Sequence, residues 1–261
     1  IIEELMKNNT IEEVEEICKN LNLRPEIIIR INKLKTTKEE IMRKLEDANI
    51  EYREIPDMED FLVLNKIKNI ENLSLFKEGL FTVQDASAGL TAVVLNPQEN
   101  DNVLDACSAP GGKTTYIAEL MHNKGKIEAW DIHEHRTKLV EKNAERLGIK
   151  IINTDVKNSA EYEEKYKEKF DRILLDVPCM GIGVIKRKPD IKWQRKKEDI
   201  EEISQLQSKI LETCSKYLKR GGYLVYSTCS ILKGENEDIV NDFIKNNSDF
   251  EIVKNGLFNI K

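Results

Sequence analysis

The chain has 261 residues, 40% hydrophobic and 34% charged, which is enough apolar material for one large or two modest domains and too much for global disorder. No apolar run approaches the ~20 residues of a membrane span, and a net charge of −6 argues against coating nucleic acid through overall charge. Five irregularly spaced cysteines without a Cys-x-x-Cys pair, and three histidines, indicate neither a disulfide framework nor a metal site, pointing to a reducing, cytoplasmic compartment.

Leu5, Ile11, Val14, Ile17, Cys18 and Leu21 recur at helical spacing, with a break near residues 8–10. Residues 27–31 then read as a β-strand. Thr36-Thr37-Lys38-Glu39-Glu40 holds overlapping capping boxes, and Ile41, Leu45 and Ala48 form the apolar stripe of the helix they open. Short strands are expected at 50–55 and 61–64, closing a small mixed α+β domain over residues 1–78. A strand at 79–83 and a helix at 85–95 open the second domain, 79–261. From residue 100 strands and helices alternate. Strands are expected at 102–106, 126–131, 150–153, 172–176 and 223–227, and helices at 113–122, 135–147, 199–218 and 235–246. Leu147-Gly148 and Arg220-Gly221-Gly222 read as helix stops. This rhythm predicts an α/β fold, a Rossmann-like parallel sheet with helices on both faces.

Ligands of such sheets bind beyond the carboxyl ends of the strands. Asp105-Ala106-Cys107-Ser108-Ala109-Pro110-Gly111-Gly112-Lys113-Thr114-Thr115 lies there, offering close backbone approach and a helix N-terminus. It is not a P-loop, because the glycine required five places before Gly112 is Cys107. No Gly-x-Gly-x-x-Gly is present, which argues against a nicotinamide enzyme. Asp131 closes the second strand and suits two ribose hydroxyls, or else caps the following helix. Asp155 after the third strand suits an adenine amine, and Asp176 closes the fourth. A nucleoside cofactor with a charged tail accounts for all four features, and S-adenosylmethionine fits them.

Cys179 follows the fourth strand in Asp176-Val177-Pro178-Cys179, and Cys229 closes the fifth in Tyr226-Ser227-Thr228-Cys229-Ser230. Neighbouring strand ends lie ~5 Å apart, so the two thiols are expected to face one pocket. A single cysteine is usually a small buried hydrophobe, the reading kept for Cys18, Cys107 and Cys214, the last on the apolar stripe Ile203, Leu206, Ile210, Leu211 and Leu218. Two thiols at ligand-binding strand ends suit different chemistry. A thiolate adding to C6 of cytosine makes C5 nucleophilic, C5 accepts a methyl group, and loss of the C5 proton lets the thiol leave.

The stretches 105–115, 176–183 and 227–230 resemble the signature motifs of the RNA 5-methylcytosine methyltransferases. Val184-Ile185-Lys186-Arg187-Lys188-Pro189-Asp190-Ile191-Lys192-Trp193 and Val83-Gln84-Asp85-Ala86-Ser87 are most similar to the bacterial RsmB (Sun/Fmu) branch, over about residues 25–250. The resemblance implies a methyltransferase domain preceded by an RRM-like RNA-binding subdomain, acting on 16S ribosomal RNA. It implies Cys229 as nucleophile, Cys179 in product release, and Asp176 beside the reacting base. It also implies a cofactor site of residues 107–113 with Asp131, Asp155 and Asp176, and it matches Arg30-Ile31-Asn32 to an arginine-x-asparagine element. Analogy with the DNA cytosine methyltransferases would instead make Cys179 the nucleophile. Met180 and Val177 depart from the family's usual serine and alanine. The family's extra N-terminal helical domain is expected to be mostly missing, and its last strand absent or confined to residues 257–260.

Residues 186–197 carry seven positive charges around Asp190 and Trp193. Beside a cytosine pocket they read as a phosphate-binding rim with a stacking aromatic, for a base flipped from a single-stranded or loop region. The expected protein is a cytoplasmic monomer, without membrane or metal. The alternatives are a different RNA target (transfer RNA or 23S ribosomal RNA), amino-group methylation, or a non-catalytic assembly factor. A thiol where amino-methylating loops carry an aromatic speaks against the second, and two retained thiols against the third.

Overall fold

Local signals open the first helices where they were expected. Thr10 caps α2 (Ile11–Leu21) in a capping box with Glu13, after the short α1 (Ile2–Leu5). Thr37 caps α3 (Lys38–Asp47) by accepting from the Glu40 N–H, while the Glu40 carboxylate turns to the Thr36 hydroxyl. The computed structural model describes residues 1–253, so the strand expected at 257–260 lies outside the described residues. The chain forms two units. One comprises Arg24–Asp176 with Thr213–Val225, and the other Ile1–Leu23, Val177–Glu212 and the chain from Tyr226 on.

The larger unit holds two sheets. The first is antiparallel, ordered β2-β3-β1-β4, from β1 (Ile27–Ile31), β2 (Tyr52–Glu54), β3 (Phe61–Leu64) and β4 (Phe81–Val83). This sheet runs past residue 78, because Phe81 pairs with Ile31 and Val83 with Ile29. The reason is apolar burial: Leu80 and Phe81 join Ile29, Ile31, Ile41, Leu45, Leu62 and Leu64 in one core. The short α4 (Ser74–Lys77) precedes β4, and α5 (Ala86–Leu95) follows it.

The second sheet is the expected Rossmann-like sheet flanked by helices, ordered β7-β6-β5-β8-β9. Its elements are β5 (Asn102–Asp105), α6 (Gly112–Leu120), β6 (Lys126–Asp131), α7 (Glu134–Leu147), β7 (Ile152–Val156), β8 (Phe170–Asp176) and β9 (Leu218–Ser227). Pairs β5–β6, β5–β8 and β6–β7 are parallel. Two expectations are corrected. Strand β7 starts two residues later than the pattern suggested and runs from Ile152, opposite Ile127, to Val156, opposite Asp131, so Asp155 lies within the strand rather than after it. Arg220-Gly221-Gly222 lies inside β9 and stops no helix. The preceding helix ends at Ser215 because fully buried Tyr217 packs on Trp130 and its carbonyl accepts from the Lys169 and Phe170 N–H groups.

The smaller unit gathers α1, α2, α8 (Ile191–Gln194), α10 (Glu237–Asn246) and the first part of α9 (Glu198–Ser215). Its core is Leu5, Val14, Met180, Ile182, Ile185 and Leu232. Among the described residues no helix is long and apolar enough to cross a membrane.

Candidate active site

Beyond the carboxyl end of β5 the larger unit contains a cavity of about 190 Å³. Cys107, Ser108, Ala109, Pro110, Gly112, Lys113 and Asp176 line it, together with Val83, Gln84, Ala88 and Asp105. The glycine loop is fixed from several sides. Gly111 takes a left-handed φ of 101°, and a Cβ there would sit 3.1 Å from Val140 Cα, so a side chain is excluded twice. The Ser108 N–H and hydroxyl both donate to Trp130 O, at 2.8 and 3.0 Å. Arg136 donates to Ala109 O and Asn143 to Pro110 O.

The acids around this loop have different environments. Asp105 is fully buried, and burial raises its carboxyl to about 7; the Thr114 hydroxyl, which donates to it at 2.7 Å, and the Lys113 ammonium oppose the rise. Lys113 Nζ lies 2.6 Å from Asp176 Oδ2. Asp131 and Asp155 do not line the cavity. Asp131 is buried at the end of β6, accepts from the His133 N–H, and faces Arg136 at 3.4 Å. Asp155 is exposed and lies 3.5 Å from Lys157 Nζ. Cys107 is half-buried on the cavity wall rather than in the core, and burial pushes its thiol well up. Acids, a lysine and loop amides on one wall suit the polar groups of S-adenosylmethionine. So does Gln84 Nε2, a buried donor without a hydrogen-bond partner.

Sequence reasoning matched Arg30 to a motif without finding its work. Arg30 is completely buried in β1, and its guanidinium meets both Glu119 carboxylate oxygens at 2.7 and 3.2 Å. It also donates to Gly112 O at 2.7 Å, to Thr115 Oγ1 at 3.1 Å and to Gln84 Oε1, and it stacks on Tyr116. Strand β1 thus grips the first turns of α6. Asn32 adds bonds to Gly79 O and Leu147 O. The available signal was a cation inside an Ile-Ile-Ile-Arg-Ile run, which demands a buried counter-charge.

In the smaller unit, Cys179 Sγ and Cys229 Sγ are 2.9 Å apart. Cys179 is buried and Cys229 exposed. The neighbouring Cys229 thiol and burial push the Cys179 thiol far up, and the Cys229 N–H donates to its sulfur. Glu235, a residue the sequence did not single out, is fully buried behind both cysteines. Its carboxylate accepts from the Met180 N–H at 2.8 Å, from Gln207 Nε2 at 3.1 Å and from the Ser230 hydroxyl. Gln207 Nε2 also donates to Pro178 O. The backbone on either side of Cys179, and the residue after Cys229, therefore share one carboxylate. A Cβ at Gly183 would sit 2.8 Å from Cys229 O, so only glycine lets the two loops close.

The basic segment shares this unit. Arg195 donates to Cys179 O at 3.2 Å, and Lys192 to Asn22 Oδ1. Trp193 on α8 is 76% exposed, an unusual position for a large aromatic without a ligand.

A family model described as 16S rRNA methyltransferase RsmB/F matches residues 92–261, and one described as an RsmF/B-like ferredoxin-like domain matches residues 1–71. A probable ribosomal RNA small subunit methyltransferase B of Bacillus subtilis is 39% identical over 92% of this chain and 54% of its own length. A methyltransferase homologue from Pyrococcus horikoshii superposes with TM-score 0.80 and 30% identity, covering 94% of this chain and 82% of that one. The NSun6 structure from Pyrococcus horikoshii with SFG gives TM-score 0.81 and 25% identity, covering 90% of this chain and 84% of that one. The chain spans about half the length of the curated relatives it matches.

Proposed function

Because the chain belongs to the RsmB/F family of 16S rRNA methyltransferases, we propose that it methylates C5 of a cytosine in 16S ribosomal RNA, with Cys229 as the attacking thiol. The 2.9 Å approach of the Cys179 and Cys229 sulfurs carries this reading, since addition at C6 followed by elimination gives two thiols at one base separate uses, one to attack and one to aid release. S-adenosylmethionine, held by residues 107–113 and Asp176 at the cavity and by Asp131 and Asp155 beyond its lining, supplies the methyl group when bound.

Cys229 is the exposed thiol; its proton passes to solvent, and the Sγ–C6 bond forms at the expense of the C5=C6 π bond. That addition places electron density on C5. The adjacent thiol and burial keep Cys179 protonated at neutral pH. Asp176 is the acid that bonds the base at N3 and N4 in this reading. After C5 has accepted the methyl group, a base removes the C5 proton, the C6–Sγ bond breaks, and Cys229 leaves as thiolate. Cys179 assists this release. Residues 1–78 serve RNA binding. Residues 186–197 hold phosphates, with Trp193 stacking on a base unpaired from a single-stranded or loop region. Action on ribosomal RNA supports a cytoplasmic location for this work.

Covalent trapping tests the reading. A ribosomal RNA fragment carrying 5-fluorocytidine is incubated with S-adenosylmethionine and the parent chain, Cys179→Ala or Cys229→Ala. Fluorine cannot leave as a proton does, so the attacking cysteine stays bonded to RNA. An adduct lost only in Cys229→Ala is expected. Loss only in Cys179→Ala exchanges the two roles, and a parent chain that binds RNA and cofactor without forming an adduct rejects C5 chemistry.

A further inference from the structure

We propose that Gln84, at the end of the small antiparallel sheet, is a cofactor-binding residue whose side-chain amide donates to the carboxylate of the cofactor's amino-acid tail. This rests on the reading that the cavity takes S-adenosylmethionine. Gln84 directly follows β4 and is only 7% exposed, yet it lines the cavity. Its orientation is set chemically. Arg30 has donors only, so the oxygen of the Gln84 amide must face Arg30 and the NH2 group must face the cavity. That Nε2 has no hydrogen-bond partner in the protein. A buried donor is normally satisfied, so its partner is expected to be a ligand.

The position selects which ligand group. A Cβ placed on Gly112 would sit 3.6 Å from Gln84 Nε2, and Gly112 is the first residue of α6. The amide therefore lies beside the open N–H groups and positive end of a nine-residue helix. The ribose hydroxyls and the adenine amine can themselves donate. The tail carboxylate only accepts, and it is the one anionic group of the molecule. An unpaired donor beside a helix N-terminus suits it best. The same Arg30 that fixes the Gln84 amide also holds Gly112 O, so one buried guanidinium orients both the side-chain donor and the loop.

Gln84→Glu tests this cleanly. It keeps an oxygen for Arg30 and replaces the cavity-facing donor with an acceptor. The 261-residue parent and Gln84→Glu are titrated calorimetrically with S-adenosylhomocysteine and with 5′-methylthioadenosine, which has the nucleoside but no amino-acid tail. Thermal melts without ligand verify that both chains are folded. S-adenosylhomocysteine is expected to bind Gln84→Glu about tenfold more weakly or worse, and 5′-methylthioadenosine to bind both chains within about twofold. Unchanged S-adenosylhomocysteine affinity overturns the proposal. So does an equal loss for both ligands, which would make Gln84 a structural or nucleoside contact. A parent chain that binds neither ligand rejects the cofactor reading, and this inference with it.

Discussion

The glycine loop and the thiol pair are both immobilised by buried polar groups, but with opposite electrostatics. Around the loop, charge is answered by charge: Arg30 by Glu119, and Asp176 by Lys113. Behind the thiols a single carboxylate, Glu235, is answered by a backbone N–H, an amide and a hydroxyl. The difference has a chemical meaning. A cofactor site must hold a charged ligand in a fixed frame, and ion pairs give that frame directional strength. Behind the thiols, groups without a positive charge fix the geometry, and the cation that comes near, Arg195, meets the Cys179 carbonyl at 3.2 Å.

Three perturbations sharpen the contrast. The largest effect is expected from Glu119→Ala, which leaves the Arg30 guanidinium buried without its counter-ion. Chemical denaturation should register a loss of ~3–5 kcal/mol, and a loss under 1 kcal/mol would mean that Gln84, Gly112 and Thr115 suffice.

Asp105→Asn probes the one loop acid that lacks a direct cation. Burial raises the folded-state carboxyl to about 7 from an ordinary 3.8, so between those values the folded chain holds a proton that the unfolded chain has released. Stability contributed by this group therefore falls as pH rises from about 4 to 7. The asparagine variant keeps an acceptor for Thr114 and loses the titration. Its stability relative to the parent is expected to climb through that window by on the order of 4 kcal/mol, then level off. A flat difference in denaturant midpoints would show that Asp105 titrates normally.

Glu235→Ala is expected to cost ~2 kcal/mol, smaller because neutral partners are left behind rather than a charge. Its diagnostic effect is on chemistry. Adduct formation with 5-fluorocytidine RNA should slow by about tenfold or more while S-adenosylhomocysteine affinity holds, and Glu235→Gln should recover part of the rate. Equal slowing in both variants would argue that the negative charge matters rather than the positioning.

Several parts of this molecule were legible in one dimension because their signals are local. The capping residue Thr37, the Leu147-Gly148 stop and the glycine pair at 111–112 each act within a turn or two of chain. The strand-end position of Cys179 and Cys229 followed from the alternation of elements. The errors arose where a distant partner decides. Strand β7 took its register from β6, which drew Asp155 into the ladder. Phe81 joined the first sheet because its apolar ring completes a core begun fifty residues earlier. Gly221 takes a left-handed φ of 76° within β9, a conformation that reads as a helix stop in sequence.

The amino-acid sequence by itself determined the alternating α/β order and the places of the glycine loop and the two cysteines beyond strand ends, because periodicity and turn residues act over short spans. Tertiary structure alone decided which groups hold those residues still. Arg30 finds Glu119 across 89 positions, and Cys179 finds Cys229 across 50. Buried polar groups must be satisfied by whatever the fold brings near, and that neighbour is set by packing rather than by spacing along the chain.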